Sequence, residues 1–339
     1  MKGRIEYIDL AKGICIFLVV LHHVEGRMDV HLPFDEYLRV CRMPMYFLLS
    51  GIFFKPYKNF CEFVIKKTNK LLVPFIFFLI LSDVCFNLLL KLYKYGLNGL
   101  NMYDWSLGFY NFFSEKIINV PIWFLWCLFV LNILFYLVYL FVEKMHWNRT
   151  IVLFIAFFIG YVGYYLGTNN INIPVFIDSA MSAMPFFAIG YVLNRATDIL
   201  RMQISIKANI IGIILCCVVL FLFTNGNLNY RLNSFEINFL NVYITGISGA
   251  FAFLLIAKLF KHIMYVSYCG RYSIIILVTH YSWIMPMALI SFKFTGLPYN
   301  ILTMLIVTCI ILLSYIVIIP IIKKIIPRVT AQKDLIQVY

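Results

Sequence analysis

The chain has 339 residues, of which 63% are hydrophobic, 18% aromatic and only 13% charged, and its mean hydropathy is +0.90. Water-soluble domains average about 45–50% apolar and about 25% charged residues, so this composition excludes a soluble enzyme. The length accommodates roughly ten membrane-spanning helices of ~20 residues each and little else. We therefore expect an all-α, polytopic integral membrane bundle in the lipid bilayer, with residues 1–339 forming one domain and no appended soluble domain.

Long apolar runs predict helical spans, because the alternating ten-residue strands of a membrane barrel do not occur. In chain order the predicted spans cover residues 5–25, 37–55, 71–93, 120–142, 150–168, 173–193, 207–225, 237–258, 270–292 and 299–322. The longer connection 94–119 is rich in aromatic residues and is predicted to lie in the membrane interface.

The net charge of +13 is distributed unevenly between the two sides of these spans. If the amino terminus is cytoplasmic, the inner segments hold nineteen lysines and arginines and the outer segments hold eight. The positive-inside rule then predicts that both termini lie in the cytoplasm. Because the basic residues are spread over many short loops, the charge does not indicate a nucleic-acid partner. The nine cysteines form no Cys-x-x-Cys pair, and we expect no metal.

The first predicted span carries most of the ionisable residues that lie inside apolar segments. Such groups cost a few kcal/mol each on insertion scales, so they are candidates for function. At about 100° and ~1.5 Å per residue, Lys12 and His23 project within about 20° of each other and ~16 Å apart along the helix. Asp9 lies within about 40° of His23, whereas His22 points about 100° away. This helix thus presents a polar stripe, with an Asp9–Lys12 pair and a purely structural histidine as open alternatives.

Three further ionisable residues stand inside apolar runs. His280 lies about ten residues into the ninth predicted span, near the bilayer midplane, which argues against a purely interfacial role. Asp83 and Asp178 each stand alone in their runs. Lining a polar cavity and capping a broken helix are both open for these two carboxylates.

Five short segments, in order along the chain, carry a recognisable pattern. They are a first-helix segment from Tyr7 to His23, a proline-aromatic-Ser-Gly segment from Arg42 to Gly51, a basic segment from Lys66 to Pro74, a Trp-Phe-Leu triplet at Trp123, and a Gly-basic-x-Ser segment from Gly270 to His280. In sequence and spacing they resemble the acyltransferase 3 family of membrane O-acyltransferases, especially its fucose O-acetylase-like branch.

The most discussed pattern of that family is an arginine, ten intervening residues and a histidine, which Lys12 and His23 match here. Lysine at the first position resembles the fucose O-acetylase-like branch. It keeps the positive charge but lacks the planar fork with which arginine binds phosphate or carboxylate. Arg42 stands where relatives often have histidine, and His22 stands where glycine is common.

The resemblance implies transfer of an acyl group, usually acetyl from acetyl-CoA, to a sugar hydroxyl of a cell-surface polysaccharide or its precursor. His23 is then the expected general base, because a neutral imidazole is suited to accept a hydroxyl proton near neutral pH. Arg42 or His280 is expected to stabilise the oxyanion, and a route through an acyl-histidine stays open.

The donor carries phosphates and is made in the cytoplasm, so cations are expected near that side. The candidates are Lys12, Lys66, Lys67 and Lys70. Simple positive-inside topology is the competing explanation for the three loop lysines. Structural roles around the polar stripe are expected for Asp9, Ser50 and Trp123.

These features favour an O-acetyltransferase in a bacterial cell membrane, with an acyl-CoA and a carbohydrate as substrates. A transporter or flippase for a glycan precursor or a small acid is the main alternative, since buried polar residues also line translocation paths. A glycan polymerase or ligase is a third possibility, but the predicted topology has no large outer loop. The acceptor and the acyl length stay open.

Overall fold

The computed structural model describes residues 5–95, 112–197 and 202–337, and these ranges are almost entirely helical. The first helices are α1 (Glu6–Met28), α2 (Asp35–Ile52), α3 (Phe60–Lys67), α4 (Val73–Tyr95), α5 (Trp123–Lys144), α6 (Ile151–Thr168) and α7 (Ile177–Thr197). They are followed by α8 (Ile206–Phe223), α9 (Phe239–Phe260), α10 (Met264–Arg271), α11 (Ser273–Thr279), α12 (Met285–Lys293) and α13 (Ile301–Ile325). A short antiparallel hairpin of β1 (Leu228–Asn229) and β2 (Ser234–Phe235) connects α8 with α9.

The predicted all-α, polytopic class is confirmed. Within the described ranges, eight helical spans are long and apolar enough to cross a membrane. They are Glu6–Met28, Phe60–Lys94, Val120–Lys144, Ile151–Thr168, Ile206–Phe223, Phe239–Phe260, Ser273–Lys293 and Ile301–Ile325. The predicted interfacial segment 94–119 lies mostly outside the described residues, since 96–111 are not among them.

The other two predicted spans, 37–55 and 173–193, form α2 and α7, which are less apolar than the eight. Asp35 and Arg42 are buried on α2, and Asp178 is buried in the first turn of α7. The two helices pack against each other, and α9 and α6 flank them. Because protein rather than lipid surrounds these helices, their polar side chains avoid the hydrocarbon and can find partners.

Glycines allow the backbones of α2 and α7 to touch. A Cβ on Gly51 would lie 1.9 Å from the carbonyl oxygen of Phe187, and a Cβ on Gly190 would lie 2.1 Å from that of Leu48. Helices in lipid associate by close packing of this kind, because water does not drive them together. The same device joins α1 to α10, where a Cβ on Gly270 would lie 1.8 Å from the carbonyl oxygen of Asp9.

Two helices contain a wider π-helical turn, at Thr68–Leu72 and at His280–Ile284. Each turn ends shortly before a proline, Pro74 in the first case and Pro286 in the second. Proline lacks the backbone N–H and its ring clashes with the carbonyl four residues earlier, so the preceding turn has to widen. The second π turn is located at one of the predicted site residues, His280.

Two non-helical segments are held against the bundle by asparagine side chains. On the hairpin, the Asn233 amide donates to the carbonyl oxygen of Gly163 (2.9 Å) and accepts from the Ser182 hydroxyl (2.7 Å). After α13 the chain turns back, and the Asn69 side-chain oxygen accepts from the backbone N–H groups of Leu335 and Ile336 (2.9 and 2.8 Å). The hairpin is thereby fixed to α6 and α7, and the carboxyl-terminal segment to the first π turn.

Substitution of Gly190 by valine is expected to destabilise the protein by roughly 3 kcal/mol, the upper end of the range for overpacking, because the new side chain meets backbone rather than a movable side chain. Thermal unfolding of the detergent-purified protein measures this loss. Gly26→Val is the matched control, since no atom lies within 4 Å of a Cβ at that position. Equal melting temperatures for the two variants would contradict the packing argument.

Candidate active site

A cavity of about 430 Å³ lies between α1, α2, α5, α11 and the hairpin. Its polar and aromatic lining consists of His22, His23, Arg39, Arg42, Tyr46, Trp123, Phe124, Asn229, Tyr230, Arg231 and Tyr281. Among the lining residues that the structure describes, none is acidic. The cavity therefore combines aromatic walls with a surplus of positively charged and hydrogen-bond-donating groups.

Two predicted site residues that are 257 positions apart in sequence meet at this cavity. The ring centroids of His23 and His280 are 5.3 Å apart, and the His23 ring lies 5.0 Å from that of Tyr281. His23 lines the cavity, whereas His280 is fully buried and lies next to it. The first helix and the late Gly-Arg segment thus each bring one histidine to the same place.

The hydrogen bonds of His280 determine where its proton resides. Its Nδ1 is 2.8 Å from the carbonyl oxygen of Ile276 and 3.1 Å from that of Leu277. Because carbonyl oxygens only accept, Nδ1 carries the hydrogen and the neutral ring keeps its lone pair on Nε2. That buried Nε2 atom has no hydrogen-bond partner among the described residues.

Tyr281 is held at the mouth of the cavity by Arg27. The Arg27 guanidinium donates to the Tyr281 hydroxyl at 3.1 Å and lies over the ring, 5.0 Å from its centroid. Since Arg27 is the donor in that hydrogen bond, the hydroxyl retains its own proton to donate elsewhere. The contact fixes the ring that packs on the His23 imidazole.

One carboxylate holds both arginines of α2. Asp35 accepts from Arg39 Nε at 3.0 Å through one oxygen, and Arg42 Nη1 lies 3.3 Å from the other. The three residues fall at spacings of four and seven, which place them on one face of the helix. Arg42 and Asp35 are each only 6% exposed, so this pair is desolvated and geometrically restrained. Arg39 also donates to the Asn227 side chain at 3.1 Å, next to the hairpin.

Behind His22 lies a second buried carboxylate, Glu25. One Glu25 oxygen accepts from the backbone N–H of Leu32 at 2.9 Å, and the other is 3.5 Å from His22 Nδ1. Ligand atoms of His22, Glu25 and Asp35 lie within 4.8 Å of one another, a combination that metal sites also use. Here, however, both oxygens of Asp35 already face arginines, whose charge opposes a cation.

Of the other predicted site residues, Lys12, Asp9 and Ser50 are not among the residues that line the cavity. The Lys12 ammonium lies 5.4 Å from the Phe53 ring centroid, and only its carbonyl oxygen, which accepts from the Tyr46 hydroxyl at 3.2 Å, contacts the cavity wall. Asp9 lines a different pocket beside α10. Ser50 is half-buried on α2 away from the cavity, whereas Trp123 is part of its wall.

The three loop lysines lie at the end of the bundle that contains the amino terminus of α1, away from the histidines. Lys66 pairs with Asp334 of the carboxyl-terminal segment at 2.8 Å. The Lys67 ammonium lies 5.4 Å from the Phe63 ring centroid, and Lys70 is exposed. Two of the three lysines are thus already in contact with other parts of the protein.

The isolated carboxylates also lie away from the cavity lining. Asp178 stands in the first turn of α7 and accepts from the backbone N–H of Ser179 at 2.8 Å, which favours the alternative in which it stabilises a helix start. Asp83 is buried on α4 and accepts from the Asn87 side chain at 3.0 Å.

Several cavity residues were not predicted from the sequence. Arg39 could have been recognised because it lies three positions before Arg42 on the same helix face. Tyr281 could have been recognised because it directly follows His280. Arg231 gave no such signal, because only the fold of the hairpin brings it to the cavity. Partial burial lowers the pKa of Arg231, and the nearby Glu115 carboxylate acts in the opposite direction.

Comparison with known proteins supports the chemical class of this site. The acyltransferase domain model of the acyltransferase 3 family matches residues 5–323, nearly the whole chain. No curated protein and no solved structure matches. The predicted family is thereby confirmed, while the fucose O-acetylase-like branch stays a prediction.

Asp35→Asn is expected to lower the free energy of unfolding by about 3 kcal/mol, because it leaves the buried Arg42 without a counter-charge. Thermal or denaturant unfolding of the purified protein measures the change. Asp29→Asn is the control, because that carboxylate is 96% exposed and its backbone is in the left-handed region that asparagine tolerates. Equal stability of Asp35→Asn and Asp29→Asn would refute the conclusion that Asp35 compensates the charge of Arg42.

Proposed function

Because the chain belongs to the acyltransferase 3 family, and is a multi-pass membrane acyltransferase, we propose that it transfers acetyl from acetyl-CoA to a sugar hydroxyl. The acceptor we propose is a cell-surface polysaccharide or its precursor, in a bacterial cell membrane. The observation that carries the proposal is the contact of His23 with His280 in a cavity lined by arginines. Such a cavity offers both a base for a hydroxyl and donors for an oxyanion.

His23 is the general base in this proposal, because it reaches the cavity surface and His280 does not. The acceptor oxygen attacks the thioester carbonyl carbon while its proton passes to the His23 imidazole. Collapse of the tetrahedral intermediate breaks the carbon–sulfur bond, and the leaving thiolate takes the proton back from the imidazolium. Base and acid are thus the same ring at successive stages, and no net proton is consumed.

His280 acts as a positioning residue behind that base. Its Nδ1–H is committed to backbone carbonyls, so the ring is fixed in one orientation by α11. Tilted packing of the two imidazoles at 5.3 Å, with Tyr281 on another side of His23, restricts rotation of the base. A base held in one orientation loses less entropy when the hydroxyl arrives.

The arginines of α2 supply the electrostatic part of the proposal. Negative charge develops on the thioester oxygen in the transition state, and donors that are already oriented stabilise it without reorganisation. Arg42 fits this role, because burial and the Asp35 contact hold it at the cavity wall. No carboxylate is among the described lining residues, so no negatively charged side chain of the lining opposes the developing charge.

A sugar acceptor is compatible with the remaining surface of the cavity. The rings of Tyr46, Trp123 and Tyr230 provide apolar contact. The Asn229 amide offers its N–H groups as donors, because its side-chain oxygen already accepts from the backbone N–H groups of Arg231 and Leu232. Small-molecule pockets typically combine apolar walls with a few polar groups of this kind.

His23→Asn is expected to reduce acetyl transfer about 10²- to 10⁴-fold, the usual contribution of a positioned base. The assay measures transfer of radiolabel from acetyl-CoA into the surface glycan by membranes with equal protein levels. His146→Asn serves as a control, because His146 is exposed in the loop between α5 and α6. Equal transfer by His23→Asn and wild type would remove His23 from the chemistry. No transfer by wild type with a verified acceptor would favour the transporter hypothesis.

His280→Asn is expected to lower kcat at least tenfold, because the His23 imidazole loses the ring that holds its orientation. The KM for acetyl-CoA should change little, because His280 does not contact the donor in this proposal. Steady-state kinetics at varied acetyl-CoA concentration separates the two parameters. A rise in KM with unchanged kcat would instead place His280 in donor binding.

A further inference from the structure

We propose that a second pocket, at the other end of α11 from His280, binds the phosphates of the acyl-CoA donor. This inference rests on the proposed function and assigns a part of the donor to residues outside the cavity. The pocket has a volume of about 350 Å³ and is lined by Arg271, Tyr272, Lys323, Pro327, Gln332 and Lys333. We refer to these six residues as the basic pocket.

Three cations converge on the basic pocket from three separate segments of the chain. Arg271 ends α10, Lys323 lies in the last turn of α13, and Lys333 belongs to the segment that follows it. Arg271 lies 52 positions before Lys323, so only the fold brings it to the two lysines. A positive-inside bias explains that each residue is basic, but it does not explain their convergence on one concave site.

Two of these cations share one aromatic ring. The Lys323 ammonium donates to the Tyr272 hydroxyl at 2.7 Å and lies 4.5 Å from the ring centroid, while the Arg271 guanidinium lies 5.5 Å from the same centroid. Two positive charges close to one ring repel each other, and an anion bound between them would offset this repulsion.

The pocket itself supplies no such anion. No carboxylate is among its described lining residues, and Asp334, the acidic neighbour of Lys333, is paired with Lys66 at 2.8 Å. A ligand with more than one negative charge therefore matches the site. Phosphate groups suit it best, because arginine and lysine both bind phosphate oxygens through short charge-assisted hydrogen bonds.

The position of the basic pocket relative to the cavity fits a long donor. Helix α11 connects the two sites, because Tyr272, directly before its first residue, lines the basic pocket and Leu277 lines the cavity. At ~1.5 Å per residue, the eight residues from Tyr272 to His280 correspond to ~12 Å along the helix. The ligand must therefore carry its phosphates and its reactive group on opposite ends of an extended arm, as acyl-CoA does.

The direction of this arrangement agrees with the predicted topology. Arg271, Lys323 and Lys333 all lie in segments that the positive-inside rule assigns to the cytoplasm, where the donor is made. The basic pocket thus replaces the loop lysines as our candidate for the phosphate site, because Lys66 is paired with the Asp334 carboxylate, whereas no carboxylate is among the described lining residues of the basic pocket.

Lys323→Gln tests the proposal against Lys324→Gln, its exposed neighbour that does not line the basic pocket. We expect Lys323→Gln to raise the KM for acetyl-CoA about tenfold, the effect of one lost charge-assisted hydrogen bond, with kcat unchanged. Lys324→Gln should leave both parameters unchanged, and Lys323→Arg should restore most of the affinity. Equal KM values for Lys323→Gln and wild type would overturn the proposal.

Acetyl-pantetheine, which lacks the nucleotide phosphates, separates phosphate binding from general damage. Wild type and Lys323→Gln should use this phosphate-free thioester with the same KM. If Lys323→Gln impairs both thioesters equally, the lysine has a structural role and the phosphate site is refuted.

Binding of free CoA to the purified protein distinguishes failure of this inference from failure of the proposed function. In phosphatidylcholine nanodiscs, titration with CoA should show binding that Lys323→Gln weakens, even if no acetyl transfer is found. Transfer of acetyl by wild type without any Lys323-dependent affinity for CoA would refute the basic pocket alone. Absence of CoA binding, together with Lys323-dependent binding of phosphatidylglycerol, would identify a lipid-headgroup site and overturn the donor assignment.

Discussion

The cost of placing charge in hydrocarbon is the constraint on which this structure depends. Arg42, Asp35 and Asp178 would each be expensive in contact with lipid, yet all three are required inside the bundle or at its cavity. The fold meets this constraint by packing α2 and α7 between the more apolar helices α6 and α9. Close glycine contacts between α2 and α7 leave little space for lipid, and Asp35 compensates the arginine charges locally.

The enclosure of α2 and α7 also explains why the hydropathy of a segment depends on whether the segment faces lipid or lies inside the bundle. The eight clearly apolar spans could be predicted from composition, because lipid contact demands an apolar surface. The spans 37–55 and 173–193 were predicted as helices as well, although they are too polar to face lipid. Their polarity is the sequence signature of their interior position rather than evidence against a helix.

The sequence anticipated the two histidines of the site but not the whole of its wall. His23 and His280 could be predicted, since each is an ionisable group inside an apolar run and each ends a family-like segment. Arg231 could not, because a hairpin of two-residue strands has no periodicity to read and is placed by distant contacts through Asn233. Long-range convergence of this kind depends on tertiary packing, which no local pattern encodes.

Lys12 shows a second limit of helical projection. Its angular position relative to His23 was derived from the 3.6-residue repeat, which fixes only the direction of the Cα–Cβ bond. The long, flexible side chain then takes the ammonium to the Phe53 ring, away from the cavity. Lysines in membrane helices commonly extend toward the nearer interface in this way, so a shared helix face does not imply a shared site.

Because of the π turn at His280, the number of residues in this helix determines the direction in which His280 points. A π turn has an i→i+5 hydrogen bond and therefore accommodates one residue more than the corresponding α-helical turn. Loss of a single residue between Tyr281 and Ile284 would rotate α11 relative to α12 by about 100°. Thr279, held by the Tyr315 hydroxyl at 2.7 Å, would then have to leave its place, or α12 its packing against α13. One residue at this point therefore decides whether His280 is turned toward His23.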